Sequence, residues 1–232
     1  MGVMPARAVV LLSGGMDSAV AAAEAKAAGF EVHALTVSYG QRHAVEVEAA
    51  RRVGASLGVA GHRTLSVDLA SFGGSALTDR SVPIPKGRDP ADMASAIPAT
   101  YVPARNTVLL SLALSLAESI GAFDLFIGVN AVDYSGYPDC RPEFLRAFEA
   151  LAAVATREGA LGRGRTRIHA PLIEMTKAAI VRRGTALGVD FSLTISCYDP
   201  DAAGRACGGC DSCVLRRKGF EEAGVPDPTV YA

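Results

Sequence analysis

The segment best suited to carry chemistry is Ser13-Gly14-Gly15-Met16-Asp17-Ser18, which directly follows an apolar run. Glycines let backbone N–H groups approach phosphate oxygens, and the hydroxyls of Ser13 and Ser18 add hydrogen-bond donors. A helix that begins after the loop would direct its positive end at the same phosphates, and Asp17 can hold a magnesium ion. The spacing therefore predicts a nucleotide phosphate site.

Two other phosphate loops do not fit this segment. The Walker loop needs a Lys before its final Ser or Thr, and no Lys precedes Lys26. The dinucleotide fingerprint needs three glycines, and only Gly14 and Gly15 are present. The segment resembles instead the pyrophosphate loop (PP-loop) of the ATP pyrophosphatase superfamily. That resemblance implies that the loop binds the β and γ phosphates of ATP while a substrate oxygen attacks the α phosphorus.

The PP-loop resemblance implies ATP and Mg²⁺ as cofactors and a nucleotide site that extends into the following helix. Many relatives carry a further hydroxyl residue after the last serine, whereas Ala19 and Val20 stand there in this chain. One phosphate donor is therefore missing or is supplied from elsewhere. The residues expected to bind the nucleotide are Leu12, Ser13, Gly14, Gly15, Met16, Asp17, Ser18, Ala19, Val20, Ala21 and Ala22.

Four of the five cysteines lie within seventeen residues, in the pattern C-x9-C-x2-C-x2-C. They are Cys197, Cys207, Cys210 and Cys213, named here the four-cysteine cluster. Such spacing suits a tetrahedral metal ion with four thiolate ligands, which leaves no open position for water and so indicates a structural role. Zinc is the first candidate; an iron–sulfur cluster and a redox dithiol are alternatives. Because residues 197–232 show little periodic apolar pattern, we expect the metal to hold this tail against the body.

The elements that must position these residues follow an alternating strand and helix pattern. Strand candidates lie at 9–12, 31–40, 63–69, 124–130 and 167–173, and helix candidates lie at 18–28, 43–58, 106–122, 141–156 and 176–188. This order predicts an α/β fold with a doubly wound, mostly parallel sheet, whose ligands bind at the carboxyl ends of the strands. Residues 70–103 form an irregular segment, either a functional lid or mobile. We expect an ATP-binding domain over 1–190 and a small zinc-binding module over 191–232.

Composition narrows the class of ligand. The chain has 232 residues, half of them apolar, and a formal net charge of −1. This charge supplies no field that would attract a polyanion, so we expect a small-molecule substrate and no long nucleic acid. The apolar stretches are too short to span a membrane, and no signal peptide is visible. The odd number of cysteines without an export signal favours reduced thiols and a cytoplasmic location.

Several further motifs, taken in order along the chain, identify a narrower resemblance. Together with the PP-loop, they closely resemble the 7-cyano-7-deazaguanine synthase family of queuosine biosynthesis. The motifs are YGQRH (39–43), YVPARN (101–106), GYPDCRPEF (136–144), PLIEMTK (171–177), SCY (196–198), CGGCDSC (207–213) and DPTVY (227–231).

That resemblance implies an adenine nucleotide α-hydrolase-like fold, a homodimer and one structural zinc per chain. It also implies an ATP-dependent carbon–nitrogen ligase. Such an enzyme activates the carboxylate of 7-carboxy-7-deazaguanine, captures it with ammonia as an amide, and then activates and dehydrates the amide to the nitrile.

Catalytic roles are expected for Asp17, Arg105, Asp133 and Lys177. Arg105 and Lys177 are cations suited to phosphate or developing negative charge. Asp133 could bind magnesium, the guanidine-like edge of the base, or ammonium. Each cation also has an ordinary alternative, because Arg105 could be a solvated surface charge and Lys177 a residue of a first helical turn.

Substrate contacts are expected from Arg42, Tyr137 and Asp139. Tyr137 could stack on the base or cover it, and Asp139 offers the same options as Asp133. Asn106 is as well suited to cap a helix as to bind a ligand. Cys140 has no clear base beside it, so we interpret it as part of the pocket wall. His43 could contact phosphate, but a single histidine at the start of a helix more often caps the helix or packs against it.

Two competing functions remain open at this point. A tRNA-modifying PP-loop enzyme, such as a thiolase, would be expected to have a basic surface and an RNA-binding region. A non-catalytic zinc-ribbon module could contact nucleic acid through Arg216, Arg217 and Lys218. The second alternative leaves the first 190 residues without a role.

Overall fold

The fold is built on one parallel sheet. The computed structural model describes residues 5–42, 45–89, 93, 97–130 and 136–232. Within them the strands are β1 (Arg7–Leu11), β2 (Glu31–Ser38), β3 (Gly61–Ser66), β4 (Asp124–Phe126) and β5 (Arg167–His169), in the order β3-β2-β1-β4-β5. β1 is central: Val9 pairs with His33 on one side and with Leu125 on the other. The predicted five-stranded parallel sheet is confirmed.

The helices connect these strands. They are α1 (Met16–Ala27), α2 (Val45–Leu57), α3 (Arg105–Ile120), α4 (Pro142–Ala155), α5 (Arg157–Ala160), α6 (Lys177–Ala186) and α7 (Asp211–Ala223). Short 3₁₀ turns occupy Ala70–Phe72, Pro138–Cys140 and Phe191–Leu193. Throughout the part of the chain that is described, no helix combines the length and apolar character needed to cross a membrane.

Helices cover both faces of the sheet, because successive strand residues point to opposite sides. Val9 and Leu11 pack with residues of α3 and α4. Ala8 and Val10 pack instead with residues of α1, α2, α6 and α7. Strands buried on both faces read as continuous apolar runs, which is the pattern of β1 in the sequence. The predicted doubly wound α/β class is therefore confirmed.

The C-terminal segment, residues 191–232, departs from the sequence prediction. Its helix α7 was not predicted, and it buries Phe220 in the same core as α1, with the ring of Phe191 edge-on at 5.2 Å. Gly219 lets α7 lie close to α6, since a Cβ at this position would stand 2.7 Å from Lys177 Cβ. The tail thus has apolar packing that its sequence pattern did not indicate, and the role of a metal in holding it stays a prediction.

The first part of the irregular 70–103 segment packs on the four-cysteine cluster. Ala76 and Ile84 share an apolar cluster with its cysteines. Lys86 Nζ lies 2.7 Å from Asp199 Oδ2. Arg88 donates to both carboxylate oxygens of Asp211 at 3.2 and 2.5 Å. These contacts hold residues 76–88 against the C-terminal segment.

Candidate functional site

A cavity of about 220 Å³ opens at the carboxyl ends of β1, β2 and β4, where parallel sheets bind ligands. Its walls come from the PP-loop, the segments after β2 and β4, the start of α3, and the C-terminal segment. The lining residues are Leu11, Leu12, Ser13, Gly15, Asp17, Ser18, Leu35, Thr36, Val37, Tyr39, Gln41, Glu46, Leu77, Arg105, Asn106, Leu109, Ile127, Gly128, Val129, Tyr137, Cys140, Ile195, Ser196, Tyr198 and Ser212.

The PP-loop is held by its own serines. Ser13 and Ser18 place their Oγ atoms 3.0 Å apart, the Ser13 N–H donates to Ser18 Oγ at 3.1 Å, and Ser18 Oγ donates to the Gly15 carbonyl at 3.0 Å. Gly14 has a φ of +90°, and a Cβ there would lie 2.8 Å from Ala50 N, so a larger residue would be strained and would clash with α2. The shape of the loop is thus set by its own serines and by Gly14.

Apart from Gly14, which lies against α2, the predicted nucleotide-binding residues divide into two groups in the structure. Leu12, Ser13, Gly15, Asp17 and Ser18 line the cavity. The side chains of the others in α1 pack in the core, so their contact with a nucleotide would be limited to the backbone. These core residues are Met16, Ala19, Val20, Ala21 and Ala22.

Asp17 and Lys177 form an ion pair at the cavity. Lys177 Nζ lies 2.6 Å from Asp17 Oδ2. Thr176 caps α6 by accepting the Ala179 N–H at 3.2 Å, which places Lys177 in the first turn. Among the residues that the structure describes, Asp17 Oδ1 is buried without a hydrogen-bond partner. A buried anionic oxygen in this state is suited to a hard cation such as Mg²⁺.

Arg105 belongs to a polar network that also contains Glu46. Its Nη1 donates to the Tyr39 hydroxyl at 3.3 Å, and its guanidinium lies 5.5 Å from the centre of the Tyr39 ring. Burial raises the pKa of Glu46 to about 7, although Arg105 and a hydrogen bond with Gln41 act to lower it. Gln41 is itself fixed, because its Oε1 accepts the Tyr39 N–H at 2.7 Å.

The sequence prediction missed Glu46. The usable signal was an acidic residue shortly after the YGQRH motif, at the start of the next helix. Because Glu46 faces the cavity beside Arg105, the cation that was predicted from sequence has a titratable neighbour. The alternative of Arg105 as a solvated surface charge does not agree with its place in the cavity wall.

Asp139 caps α3, so of the two roles that the sequence left open for Asn106, the helix cap does not agree with the structure. Asp139 Oδ2 accepts the Asn106 N–H at 2.8 Å, and Asn106 Nδ2 donates to the Asp139 carbonyl at 3.1 Å. The helix begins one residue earlier than predicted, after Ala104 in a left-handed conformation with a φ of 52°. Asp139 is buried and is not part of the cavity wall, so its contact with substrate stays a prediction.

Tyr137 and Cys140 both line the cavity. The Tyr137 hydroxyl lies 3.0 Å from Thr100 Oγ1, which leaves the ring as part of the wall. Cys140 is buried, and its Sγ accepts a hydrogen bond from Asn106 Nδ2 at 3.1 Å. The interpretation of Cys140 as pocket wall agrees with this placement.

Arg42 is turned toward the irregular segment. Its Nη2 donates to the Asp79 carbonyl at 2.7 Å and also to the Val82 carbonyl, and the side chain is not among the cavity-lining residues. Direct contact of Arg42 with substrate stays a prediction. Asp133 and His43 lie outside the described residues.

The four sulfur atoms of the four-cysteine cluster lie within 4.8 Å of one another. A tetrahedral zinc with Zn–S distances of about 2.3 Å requires sulfurs about 3.8 Å apart, so the cluster fits this ion. Backbone N–H groups of Asp199 and Cys207 donate to Cys197 Sγ at 3.3 and 3.2 Å. Such hydrogen bonds favour thiolates, which are the form that binds a metal.

The cluster also adjoins the cavity. Ser196 and Tyr198, which flank Cys197, and Ser212, which precedes Cys213, all line the cavity. The Ile195 N–H donates to the Gly14 carbonyl at 2.9 Å, so this segment is bonded directly to the PP-loop.

The three C-terminal cations do not form a basic surface. Arg216 is only 2% exposed, and its guanidinium bonds Asp227 Oδ1 at 3.1 Å and Thr194 Oγ1 at 2.8 Å. Arg217 stacks over the Tyr231 ring at 4.4 Å, and Lys218 lies 3.8 Å from Glu222. The alternative in which all three residues contact nucleic acid does not agree with this placement, because Arg216 is a buried structural side chain.

Solved structures share the fold. NMN synthetase from Francisella tularensis superposes with a TM-score of 0.51 at 18% identity, covering 96% of this chain and 79% of that one. A predicted subunit of tRNA methyltransferase from Methanocaldococcus jannaschii superposes with a TM-score of 0.50 at 16% identity, covering 98% and 92%. At these identities the likeness concerns the fold alone.

Sequence relatives cover nearly the whole chain. The protein named 7-cyano-7-deazaguanine synthase in Anaeromyxobacter sp. (strain Fw109-5) is 64% identical over 225 residues, which are 97% of this chain and 96% of that one. The protein of the same name in Myxococcus xanthus (strain DK1622) is 63% identical over 228 residues, 98% of each chain. The family described as "Queuosine biosynthesis protein QueC" matches residues 7–224. This chain belongs to the QueC family of queuosine biosynthesis proteins.

Proposed function

We propose that the protein is a 7-cyano-7-deazaguanine synthase: it converts 7-carboxy-7-deazaguanine and ammonia to the nitrile with ATP. The observation that carries this proposal is identity of 60% or more to synthases of that name along almost the full length. The cavity supports it, because the PP-loop and Arg105 line it at the carboxyl edge of the sheet, and Lys177 pairs there with Asp17. The net reaction removes both carboxylate oxygens from the substrate and puts one nitrogen in their place.

ATP and Mg²⁺ are the cofactors that this site would use. A carboxylate oxygen leaves poorly as it stands, and bound Mg·ATP supplies the electrophilic phosphorus that turns it into a leaving group. Ser13, Gly15 and Ser18 would hold the phosphates with hydroxyl and backbone donors. Asp17 would hold the magnesium ion through its unpartnered oxygen.

Lys177 and Arg105 would each stabilise negative charge on the ligands. Lys177 Nζ, 2.6 Å from Asp17, lies where it can neutralise phosphate oxygens beside the metal. Arg105, held by Tyr39, would attract the substrate carboxylate, and Tyr137 would cover the base. Asp133, Asp139 and Arg42 keep their predicted supporting roles in substrate binding and catalysis. Zinc in the four-cysteine cluster would hold the C-terminal segment and perform no step itself.

The organisation of the molecule is proposed on the same basis. We place the ATP-binding domain at 1–190 and the zinc-binding module at 191–232. Homodimerisation and a cytoplasmic location stay predictions; light scattering of the purified protein and fractionation of cells test them.

The decisive experiment is incubation of the zinc-loaded protein with ATP, magnesium, ammonium and 7-carboxy-7-deazaguanine, with the products followed by mass spectrometry. We expect the nitrile to form, with the amide preceding it. Omission of ATP or of ammonium serves as the control. Folded, metal-loaded protein that forms neither amide nor nitrile would contradict the proposal, whereas sulfur transfer to tRNA would support the competing PP-loop function.

A further inference from the structure

We propose that the four-cysteine cluster completes the nucleotide site, because it positions Ser196 and Ser212 to donate hydrogen bonds to the ATP phosphates. This inference rests on the proposed function. It assigns two phosphate ligands from the C-terminal segment, more than 170 residues after the PP-loop.

The first step is the position of Ser196 beside the PP-loop. The Ile195 N–H donates to the Gly14 carbonyl at 2.9 Å. A Cβ built on Gly15 would lie 3.6 Å from the Ile195 carbonyl oxygen, so the two backbones are in contact at both glycines. Ser196 follows directly and lines the cavity together with Ser13 and Ser18. A ligand bound to the loop therefore lies within reach of this hydroxyl.

The hydroxyl hydrogen of Ser196 can be donated only away from Arg216. Its Oγ accepts a hydrogen bond from Arg216 Nη1 at 3.4 Å. A guanidinium has donors and no acceptor, so the hydroxyl hydrogen of Ser196 cannot be used on Arg216. Among the described residues, no other hydrogen bond of this hydroxyl is found. The hydrogen is thus available for an anion in the cavity, and the charge of Arg216 strengthens it as a donor.

Ser212 lies in the first turn of α7. It lines the same cavity, and its hydroxyl has no hydrogen-bond partner in the described part of the chain. Its neighbour Asp211 would repel phosphate if its charge were unpaired. Arg88 binds both oxygens of that carboxylate, at 3.2 and 2.5 Å, and so removes this obstacle.

The fourth step connects both serines to the metal ligands. Ser196 precedes Cys197, and Ser212 precedes Cys213, so each cavity residue is one peptide bond from a sulfur of the four-cysteine cluster. A bound ion would fix four sulfurs that belong to two separate stretches of chain. It would thereby fix the distance between the two hydroxyls, which no hydrogen bond between them sets.

The test compares Ser196→Ala, Ser212→Ala and the double variant with wild type. Binding of a non-hydrolysable ATP analogue, of inorganic pyrophosphate and of adenosine is measured by calorimetry. Ser192→Ala is the matched control, because Ser192 is exposed in the same segment and, within the described residues, its hydroxyl bonds only Asp190 at 2.6 Å. We expect each cavity variant to lose about 10-fold in affinity for the ATP analogue and for pyrophosphate, and none for adenosine, because a hydrogen bond to a charged group is broken.

A second arm removes the metal with a chelator. If the protein stays folded, its ATP affinity should fall to that of the double variant, and the serine substitutions should then have no further effect. If the protein unfolds without the metal, the ATP affinities of the serine variants alone test the inference.

Cavity variants that bind the ATP analogue within twofold of wild type, with unchanged metal content, would overturn the inference while the proposed function stands. A wild-type protein that binds no ATP would overturn the proposed function itself.

Discussion

At the scale of single residues, the two carboxylate oxygens of Asp17 have different surroundings. One carboxylate oxygen binds Lys177 at 2.6 Å, and the other is buried with no partner among the described residues. Leaving a buried acceptor unsatisfied costs about 1–3 kcal/mol. Such a cost is commonly retained where a ligand supplies the missing partner. Asp17 is therefore the residue whose charge should matter most to turnover and least to folding.

The first prediction follows from this arrangement. Asp17→Asn should lower nitrile turnover by about 100-fold, because an amide binds magnesium weakly and neither balances Lys177 nor organises the phosphates. The melting temperature should change by no more than about 4 °C, the scale expected for one partly exposed ion pair. Turnover assays and thermal melts measure both. Glu24→Gln, at the other end of α1, is the matched control; equal turnover in Asp17→Asn and Glu24→Gln would remove Asp17 from the metal role.

Glu46 supplies a prediction about pH. Burial raises its pKa from the ordinary value of 4.5 to about 7, so the folded state binds its proton more tightly than the unfolded state does. The free energy of unfolding must then fall as the pH rises from 4.5 through 7. Glu46→Gln lacks this loss, and its stability relative to wild type should increase over that window and level off above it.

Urea denaturation at about pH 5 and about pH 8 measures this difference. Glu48→Gln is the matched control, because Glu48 lies on the same helix and its side chain is 57% exposed. A stability difference between Glu46→Gln and wild type that is the same at both pH values would show that Glu46 titrates as a solvated carboxylate.

At the scale of elements, the site depends on how closely β4 approaches α1. A Cβ on Gly128, two residues after β4, would lie 2.9 Å from both Asp17 C and Ser18 N. These atoms are backbone and cannot move without the start of α1. The cavity geometry thus requires that residue 128 has no side chain.

Gly128→Ala is therefore expected to displace the PP-loop. We expect a loss of at least about 10-fold in ATP affinity, with a destabilisation of about 1–3 kcal/mol from overpacking. Calorimetry and urea denaturation measure the two effects. Gly136→Ala is the control, because its Cβ would meet Pro98 Cδ at 3.6 Å and the Met93 carbonyl oxygen at 3.9 Å, which are ordinary contact distances. ATP affinity in Gly128→Ala that equals the control would contradict this account of the β4 approach.

The elements differ in how well the sequence predicted them. The five strands and the helices between them were predicted because apolar periodicity and glycine breaks agree with their tertiary packing. Helix α7 was missed because its buried face includes Arg216 and Gly219 in place of large apolar residues. Its signals were Asp211 in the first turn and Gly224 at the C-cap. Asp139 as the cap of α3 was not predictable, because the two residues are brought together only by tertiary structure.

At the scale of the whole molecule, the four-cysteine cluster joins three regions that are distant in sequence. Residues 76–88 pack on it, the 195–198 stretch bonds the PP-loop, and α7 enters the core of the sheet. Residues 76–88 of the irregular segment are therefore supported both by the four-cysteine cluster and by the segment after β2, since Leu77 packs with Tyr39. The sequence predicted a lid or a mobile loop here, whereas residues 76–88 pack against the four-cysteine cluster.

Removal of the metal should loosen these regions selectively. We expect hydrogen exchange to increase in residues 76–88 and 195–198, while α4, on the opposite face of the sheet, keeps its protection. Exchange followed by mass spectrometry before and after chelation measures this, and added zinc should restore the original pattern. A uniform increase that includes α4 would show that the metal supports the whole fold.

The bond between Ile195 and Gly14 has a consequence for how the protein holds its metal. Linkage between two sites is reciprocal, so whatever affinity the ion adds to ATP binding, ATP adds to ion binding. A protein saturated with nucleotide should therefore keep bound zinc at a higher chelator concentration than the empty protein does. The fraction of the protein that retains zinc would then depend on the supply of nucleotide.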